Sequence, residues 1–419
     1  MVKFRSSKIG REAATLVSGN VMAQVITLVA YFVLTRIYTP DDYGLFNIFY
    51  SYIEVLIIFS TCKYELAIVV AEDEREASAV ARFALRLNAM VAMLLLTVAL
   101  VLWLTGALPG NFALLGWMVL LIPPMVFFCG TSRVYSFLYN RFHRYTMIAV
   151  SDSVNAGVGA ATKIVLGLVG FFHSGLPIGT VIGRAVANIN YRLRMRSLSL
   201  PKATAAESKA AARKHRNFPL FVASKDLVNT FASNLPFLWA AIYFDRAEVG
   251  LFGLALTFTL QPVNILSAAF ERVLYARTAE AVRERQPVMR LQRRFLFLLL
   301  AVALPVCVLA WFIAEPLFVF CFGDRWQGCG VFVQALLPLA LTGLCTNSLM
   351  FISNVFSSQR AEFDFYLVLA ALRVAAIAVG IANESFLLAI ALYAAAGTLV
   401  KVSLLVWYLW QVRRYERML

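Results

Sequence analysis

Long apolar runs alternate with short polar breaks along almost the whole chain. The runs are about 20 residues long, the length that carries a helix across a bilayer's hydrocarbon core. Backbone polar groups must be satisfied within such a segment in lipid, so these runs are read as helices. The pattern predicts an all-α, polytopic membrane protein of twelve transmembrane helices, near residues 12–36, 43–70, 80–105, 112–138, 147–170, 175–195, 217–243, 249–273, 294–315, 331–356, 363–382 and 386–411. Breaks such as Thr39-Pro40-Asp41-Asp42, Leu108-Pro109-Gly110-Asn111 and Asp245-Arg246-Ala247-Glu248 carry turn and helix-start residues. The first run is too long for a signal-peptide core and no small-residue cleavage site follows, so it reads as a retained first helix.

Composition supports this class: 61% of residues are apolar and only 15% are charged. The formal net charge of +15 fits either a nucleic-acid binder or a membrane protein with basic cytoplasmic loops. The distribution of charge decides for the second. Lys and Arg crowd into the N-terminal segment, the links 192–216 and 272–294, and the tail with Arg413, Arg414 and Arg417, whereas the opposite loops offer Arg36, Arg246 and Arg325. By the positive-inside rule both termini are cytoplasmic, and no nucleic-acid partner is expected.

The longest polar segment divides the chain into an N-terminal six-helix lobe (1–197), a basic cytoplasmic linker (198–216) and a C-terminal six-helix lobe (217–419). An internal echo supports two pseudo-symmetric bundles: Ile37-Tyr38-Thr39-Pro40-Asp41-Asp42-Tyr43-Gly44-Leu45-Phe46 resembles Ile242-Tyr243-Phe244-Asp245-Arg246-Ala247-Glu248-Val249-Gly250-Leu251-Phe252. The offset that joins Gly44 to Gly250 also joins Glu65 to Glu271. Two like-oriented halves imply a parallel repeat, the architecture of transporters that work by alternating access.

Enzyme chemistry is not indicated. There is no Walker A loop, and the outer links are too short for a large catalytic loop. The three histidines are scattered without metal-ligand spacing, so neither a metal nor another cofactor is expected. The six cysteines form no CxxC pair; Cys321 and Cys329 flank one outer loop, but unpaired packing thiols are the preferred reading.

Ionisable residues inside the apolar runs carry the functional signal: Glu54, Lys63 and Glu65 in the second helix, Arg133 in the fourth, Lys163 in the fifth, Arg184 in the sixth, Lys225 and Asp226 in the seventh, Arg373 in the eleventh and Lys401 in the twelfth. A basic side chain at mid-bilayer costs about 2.5–3.5 kcal/mol on insertion scales, which favours a water-filled cavity or ion pairing over lipid. Lys63, Lys225 and Arg373 lie near helix ends, where snorkelling is the competing explanation. The excess of cations over carboxylates points to an anionic substrate, and Lys and Arg both suit phosphate. Glu54 is either a proton-coupling carboxylate or a hydrogen-bonded structural group. Among the helix-interrupting prolines, Pro262 is the expected hinge.

The residues also resemble a known family. Thr35-Arg36-Ile37-Tyr38-Thr39-Pro40-Asp41-Asp42-Tyr43-Gly44 is similar to the opening of bacterial polysaccharide flippases, and similarity continues in Lys63-Tyr64-Glu65-Leu66-Ala67-Ile68-Val69, Ser174-Gly175-Leu176-Pro177-Ile178-Gly179, Asn217-Phe218-Pro219, Val249-Gly250-Leu251-Phe252 and Phe322-Gly323-Asp324-Arg325-Trp326. This ordered set resembles the Wzx-type, polysaccharide-transport branch of the multidrug/oligosaccharidyl-lipid/polysaccharide (MOP, MATE-like) exporter superfamily. The resemblance implies a V-shaped pair of six-helix bundles with a cationic central cavity in the bacterial inner membrane. It implies an undecaprenyl-diphosphate-linked oligosaccharide as substrate, flipped from the cytoplasmic to the periplasmic leaflet for O-antigen, capsule or exopolysaccharide synthesis. Membrane lipid is the medium, and the polysaccharide polymerase and chain-length machinery are candidate partners. Under this reading Lys63, Arg133, Arg184, Lys225 and Arg272 are candidates for diphosphate or cavity contact, and Glu54, Glu65 and Asp226 for coupling or for pairing those cations. The rivals are a drug/cation antiporter of the same superfamily, a lipid II flippase and, from another class, a membrane glycosyltransferase or polymerase.

Overall fold

The computed structural model describes residues 22–195, 201, 203–356 and 358–419, and all of its regular structure is helical. The beginning of the predicted first helix, residues 12–21, and part of the predicted linker lie outside the described residues. The chain divides into two compact units, residues 1–230 and 231–419.

The first unit contains α1 (Met22–Ile37), α2 (Pro40–Thr61), α3 (Tyr64–Val70), α4 (Glu74–Leu104), α5 (Asn111–Leu115), α6 (Ile122–Arg141), α7 (Tyr145–Leu168), α8 (Phe172–Met195), α9 (Ala205–Lys214) and the start of α10 (Ser224–Tyr243). The second holds the remainder of α10 with α11 (Arg246–Arg283), α12 (Met289–Phe322), α13 (Cys329–Asn347), α14 (Ile352–Val355), α15 (Gln359–Ala382) and α16 (Phe386–Glu416).

The starts of these helices follow from sequence. Thr39 caps α2 in a reciprocal capping box with Asp42, with Pro40 in the first turn. Asp245 caps α11 by accepting from Ala247 N. The two copies of the internal echo therefore occupy equivalent places, each opening a long helix. Ser385 caps α16 by accepting from Leu388 N.

Eight helical segments among the described residues are long and apolar enough to cross a membrane: Pro40–Thr61, Glu74–Leu104, Phe112–Arg141, Arg246–Arg283, Met289–Phe322, Cys329–Val355, Gln359–Ala382 and Phe386–Glu416. They make the chain a multi-pass membrane protein, and their many exposed Leu, Val, Phe and Ile side chains suit contact with lipid. Helix α1 is apolar but shorter. Helices α7, α8 and α10 interrupt their apolar runs with Asp152, Lys163, Arg184, Lys225 and Asp226.

The structure departs from the predicted spans in several places; predicted 112–138 is divided between α5 and α6, and predicted 331–356 between α13 and α14. The predicted helix 43–70 breaks into α2 and α3 at Cys62 and Lys63, both left-handed with φ of 47° and 61°. The predicted basic link 272–294 is mostly helix, because α11 runs on to Arg283 and α12 begins at Met289. At 1.5 Å per residue α11 is roughly 57 Å long, well beyond a hydrocarbon core of ~30 Å. The described part of the predicted linker contains α9, whose Ala211 and Ala212 join Ala203 in a core cluster with Ala77, Val80 and Ala84 of α4.

Helices α7 and α8 pack closely through small residues. A Cβ on Gly183 would lie 2.7 Å from Asn155 O and 2.8 Å from Gly159 Cα, so only glycine permits this approach. Two amides then fasten α6 to its neighbours. Asn88 of α4 donates to Phe127 O and Thr131 Oγ1, at 2.9 and 3.1 Å. Asn188 of α8 donates to Phe128 O and Ser132 Oγ, at 2.8 and 2.9 Å. In the second unit, Leu274, Leu296, Leu344, Leu369, Leu404 and Tyr408 belong to one buried cluster.

Candidate functional site

Helices α2, α6, α7 and α8 enclose a polar cavity of about 210 Å³ within the first unit. Helix α2 contributes Tyr50, Ile53, Glu54 and Ile57, and α6 contributes Cys129, Ser132, Arg133 and Ser136. Both sets step by three, one and three residues, the spacing of a single helix face. Asp152 of α7 completes the lining with Arg184 and Tyr191 of α8.

Asn188 sits one turn beyond Arg184 on α8, and its amide nitrogen, 2.8 Å from Arg184 O, shares its two hydrogens among that carbonyl, Phe128 O and Ser132 Oγ. The Asn188–Ser132 bond ties that turn to the cavity wall of α6. Ser132 is thus held in place while Arg133, its neighbour, faces the cavity. The Arg184 Nε is buried with no hydrogen-bond partner among the described residues. A buried guanidinium donor left in this way favours a ligand or water in the cavity.

The predicted site residues fall in different places. Arg133, Arg184 and Glu54 come together in the cavity. Lys63 instead stands at the α2–α3 break and forms an ion pair with Asp226 of α10, Nζ to Oδ2 2.6 Å. Glu65 is 2% exposed on α3, and its Oε2 has no partner among the described residues. Lys225 is half-buried on α10, and Arg272 is exposed on α11 in the second unit. Pro262 lies inside the continuous helix α11.

Sequence reasoning passed over Asp152, although it is an acid inside a predicted membrane helix. Its presence changes the electrostatics, because two guanidiniums and two carboxylates give the cavity no formal net charge. Lys163, Arg373 and Lys401 find neutral company. Lys163 Nζ sits 5.0 Å from the Phe46 ring centroid. Arg373 lies over Tyr393 at 4.2 Å and donates to Ser233 Oγ at 3.0 Å. Lys401 donates to Asn347 Oδ1 at 2.8 Å. Aromatic faces, a serine hydroxyl and an amide oxygen thus hold these groups, where the sequence left a water-filled cavity, ion pairing or, for Arg373, snorkelling open. All six cysteines are free thiols, Cys321 and Cys329 included. No group of three or more His, Cys, Asp or Glu among the described residues could hold a metal ion.

Solved structures share this fold over nearly the whole chain. The lipid II flippase MurJ in an inward closed conformation superposes with a TM-score of 0.74 at 10% identity, covering 96% of this chain and 89% of its own. An inward-facing multidrug resistance MATE transporter of the MOP superfamily gives 0.70 at 12% identity, covering 94% and 96%. A MOP superfamily transporter from Pyrococcus furiosus, described as having a binding pocket of reversed polarity, gives 0.57 at 13% identity, covering 97% and 96%. The chain therefore shares the fold of these membrane transporters. No curated protein matches the chain significantly in sequence. A family model described as polysaccharide biosynthesis protein matches residues 33–331, which include every residue of the cavity. Because that match takes in well over half of the sequence, the chain belongs to the polysaccharide biosynthesis protein family.

Proposed function

We propose that the protein is a flippase that moves an undecaprenyl-diphosphate-linked oligosaccharide from the cytoplasmic to the periplasmic leaflet of the bacterial inner membrane, by alternating access. The carrying observation is the charged, hydroxyl-lined cavity inside an apolar helical bundle, in a chain of a polysaccharide biosynthesis family. A lipid-linked glycan has the matching amphipathy: its head needs a polar shelter, and its tail is at home in hydrocarbon. The neighbour MurJ is a flippase for lipid II, which gives the fold a precedent for a lipid substrate.

In this reading the lobes 1–197 and 217–419, joined by the linker 198–216, are the moving halves, with twelve helices in all and both termini cytoplasmic. Arg133 and Arg184 contact the head group. Lys63, Lys225 and Arg272 are candidates for the diphosphate, with Lys63 released from Asp226 during the cycle. Glu54, Glu65 and Asp226 are the coupling or pairing carboxylates, and Pro262 is the hinge.

A second reading, a drug or cation antiporter, draws on the two cavity carboxylates and the MATE-like fold. One experiment separates them. The gene is deleted, the sidedness of undecaprenyl-diphosphate-linked repeat units is measured, and wild type, Arg133→Ala and Arg184→Ala are compared for rescue. The flippase reading expects linked oligosaccharide trapped on the cytoplasmic face, with at least one variant failing to rescue at normal membrane levels. Normal translocation in the deletion strain, with no second flippase present, overturns it and promotes the antiporter.

A further inference from the structure

The charge balance of the first-unit cavity bears on which part of a lipid-linked head group it takes. Counted formally, Arg133 and Arg184 bring two positive charges to the lining, and Glu54 and Asp152 bring two negative ones. A diphosphate entering such a space meets two carboxylates as well as two guanidiniums, and the attraction expected of an arginine pair is largely cancelled. Diphosphate sites are built with donors in excess; this lining offers donors and acceptors in equal strength.

That balance suits a sugar ring. Each glycan hydroxyl both donates and accepts, so it pairs equally with a carboxylate oxygen, a guanidinium N–H or a Ser or Tyr hydroxyl. The cavity supplies each type: Glu54 and Asp152 accept, Arg133 and Arg184 donate, hydroxyls such as Ser136 and Tyr50 can do either, and Ser132, which accepts from Asn188, can still donate. The unpartnered Arg184 Nε is a donor awaiting an acceptor. Ile53, Ile57 and the tyrosine rings give apolar surface for the C–H face of a ring. Size points the same way. A cavity of about 210 Å³ is smaller than the ~300–1,000 Å³ of pockets for drug-sized ligands, so it is sized for one ring, with the rest of an oligosaccharide extending beyond it.

We infer that this cavity is a glycan subsite that takes a single pyranose ring of the head group, with Glu54, Asp152, Arg133 and Arg184 reading its hydroxyls, and that the diphosphate binds elsewhere. The inference rests on the flippase reading above. It makes Asp152 a specificity-determining residue and the cavity a filter on the identity of one sugar.

Cys129 is a thiol in the cavity wall, though buried, so Ser136→Cys, half-buried on the same face of α6, is read beside it as a second reporter in every comparison below. The purified full-length protein is treated with N-ethylmaleimide, and labelling of Cys129 is followed by peptide mass spectrometry in the presence of a panel of methyl pyranosides or of inorganic pyrophosphate. At least one pyranoside is expected to slow Cys129 labelling at millimolar concentration while pyrophosphate leaves it unchanged. Asp152→Asn is expected to weaken that pyranoside about 10–100-fold. The same variant leaves the cavity with a net positive charge, and pyrophosphate is expected to begin to protect Cys129. Protection of the wild type by pyrophosphate, alone or as strongly as by any pyranoside, overturns the inference, and so does the absence of protection by every probe. The wild-type comparison stands even if Asp152→Asn does not fold. Sidedness of linked oligosaccharide in the deletion strain tests flipping separately, so a cavity that binds no sugar and a protein that flips no lipid are distinguishable failures.

Discussion

Lys63 Nζ and Asp226 Oδ2 meet at 2.6 Å, so the residue that interrupts the second predicted helix is tied to the start of α10. Lys63 has φ of 61°, a left-handed conformation that is uncommon for a residue with a side chain, and Cys62 before it is also left-handed. Such a backbone persists where surrounding contacts hold it, and the ion pair is one such contact. The Lys63 side chain is 16% exposed and that of Asp226 37%, so the pair is partly screened by solvent. A double-mutant cycle with Lys63→Ala and Asp226→Ala, read by thermal unfolding in detergent, is expected to give a coupling of about 1 kcal/mol. The swap Lys63→Asp with Asp226→Lys should recover part of what either single reversal loses. Additive effects of the two alanines would show that the pair is not coupled.

Close packing of α7 on α8 depends on Gly183. Gly183→Val forces atoms into the Asn155 carbonyl and the Gly159 backbone, and is expected to destabilise by about 1–3 kcal/mol or to abolish membrane accumulation. Gly157 is the control, since a Cβ there meets nothing within 4 Å. Gly157→Ala should accumulate and unfold like wild type. Equal behaviour of the two variants would contradict the packing.

Glu315 explains a carboxylate near the end of an apolar helix. Its Oε1 accepts from Gly328 N and its Oε2 from Gly330 N, each at 2.6 Å, so it caps the start of α13 from the side of α12. Glu315→Ala leaves two backbone donors without that partner and is expected to cost about 2–4 kcal/mol. Glu315→Gln retains one acceptor oxygen and should lose less. Unfolding temperatures of the two variants check the order, and an alanine variant as stable as wild type would remove the capping role.

The α9 strap should have a pH window. Glu207 accepts from Thr204 N and Oγ1 and pairs with Arg75 at 2.7 Å, and these bonds hold its carboxyl below the usual range. Lys214 reaches Glu72 at 2.8 Å and Glu76 at 2.7 Å, which holds its ammonium above the usual range. The Glu207 contribution is present above its ordinary value of 4.5 and is lost as pH falls below it. That of Lys214 is present below 10.5 and is lost as pH rises beyond it. Protease protection of residues 205–214 is therefore expected between those limits and weaker outside them. Glu207→Gln should shrink the acid limb, the Lys214 pairs with Glu72 and Glu76 supplying the remainder as those carboxylates protonate; an unchanged acid limb would assign all of it to those pairs.

Much of the fold was legible because membrane burial writes itself into local composition. The predicted run 363–382 falls within α15 and 386–411 within α16, since an apolar stretch of that length in lipid has no alternative to a helix. The break at Cys62–Lys63 was not legible, because neither residue carries the glycine or proline signal that marks an interruption. Helix α9 was hidden for the opposite reason. Its sequence is polar and alanine-rich, and what fixes it is packing on α4 together with Ser78 donating to Pro201 O at 2.7 Å and Arg82 to Ala203 O.

The site divides in the same way. The sequence alone determined that Glu54, Arg133 and Arg184 lie within apolar helices, where a charge needs a reason, and the spacing of Tyr50, Ile53, Glu54 and Ile57 was already that of one helix face. It could not say which helices face one another, because side-chain periodicity reports only the environment of a single helix. Tertiary structure decided that Asp152 joins the cavity, that Lys63 is spent on Asp226, and that Lys163, Arg373 and Lys401 rest on rings and amides. Net charge is a sum over the chain and is fixed by composition. The charge of a cavity is a sum over side chains that only folding brings within a few ångströms of one another.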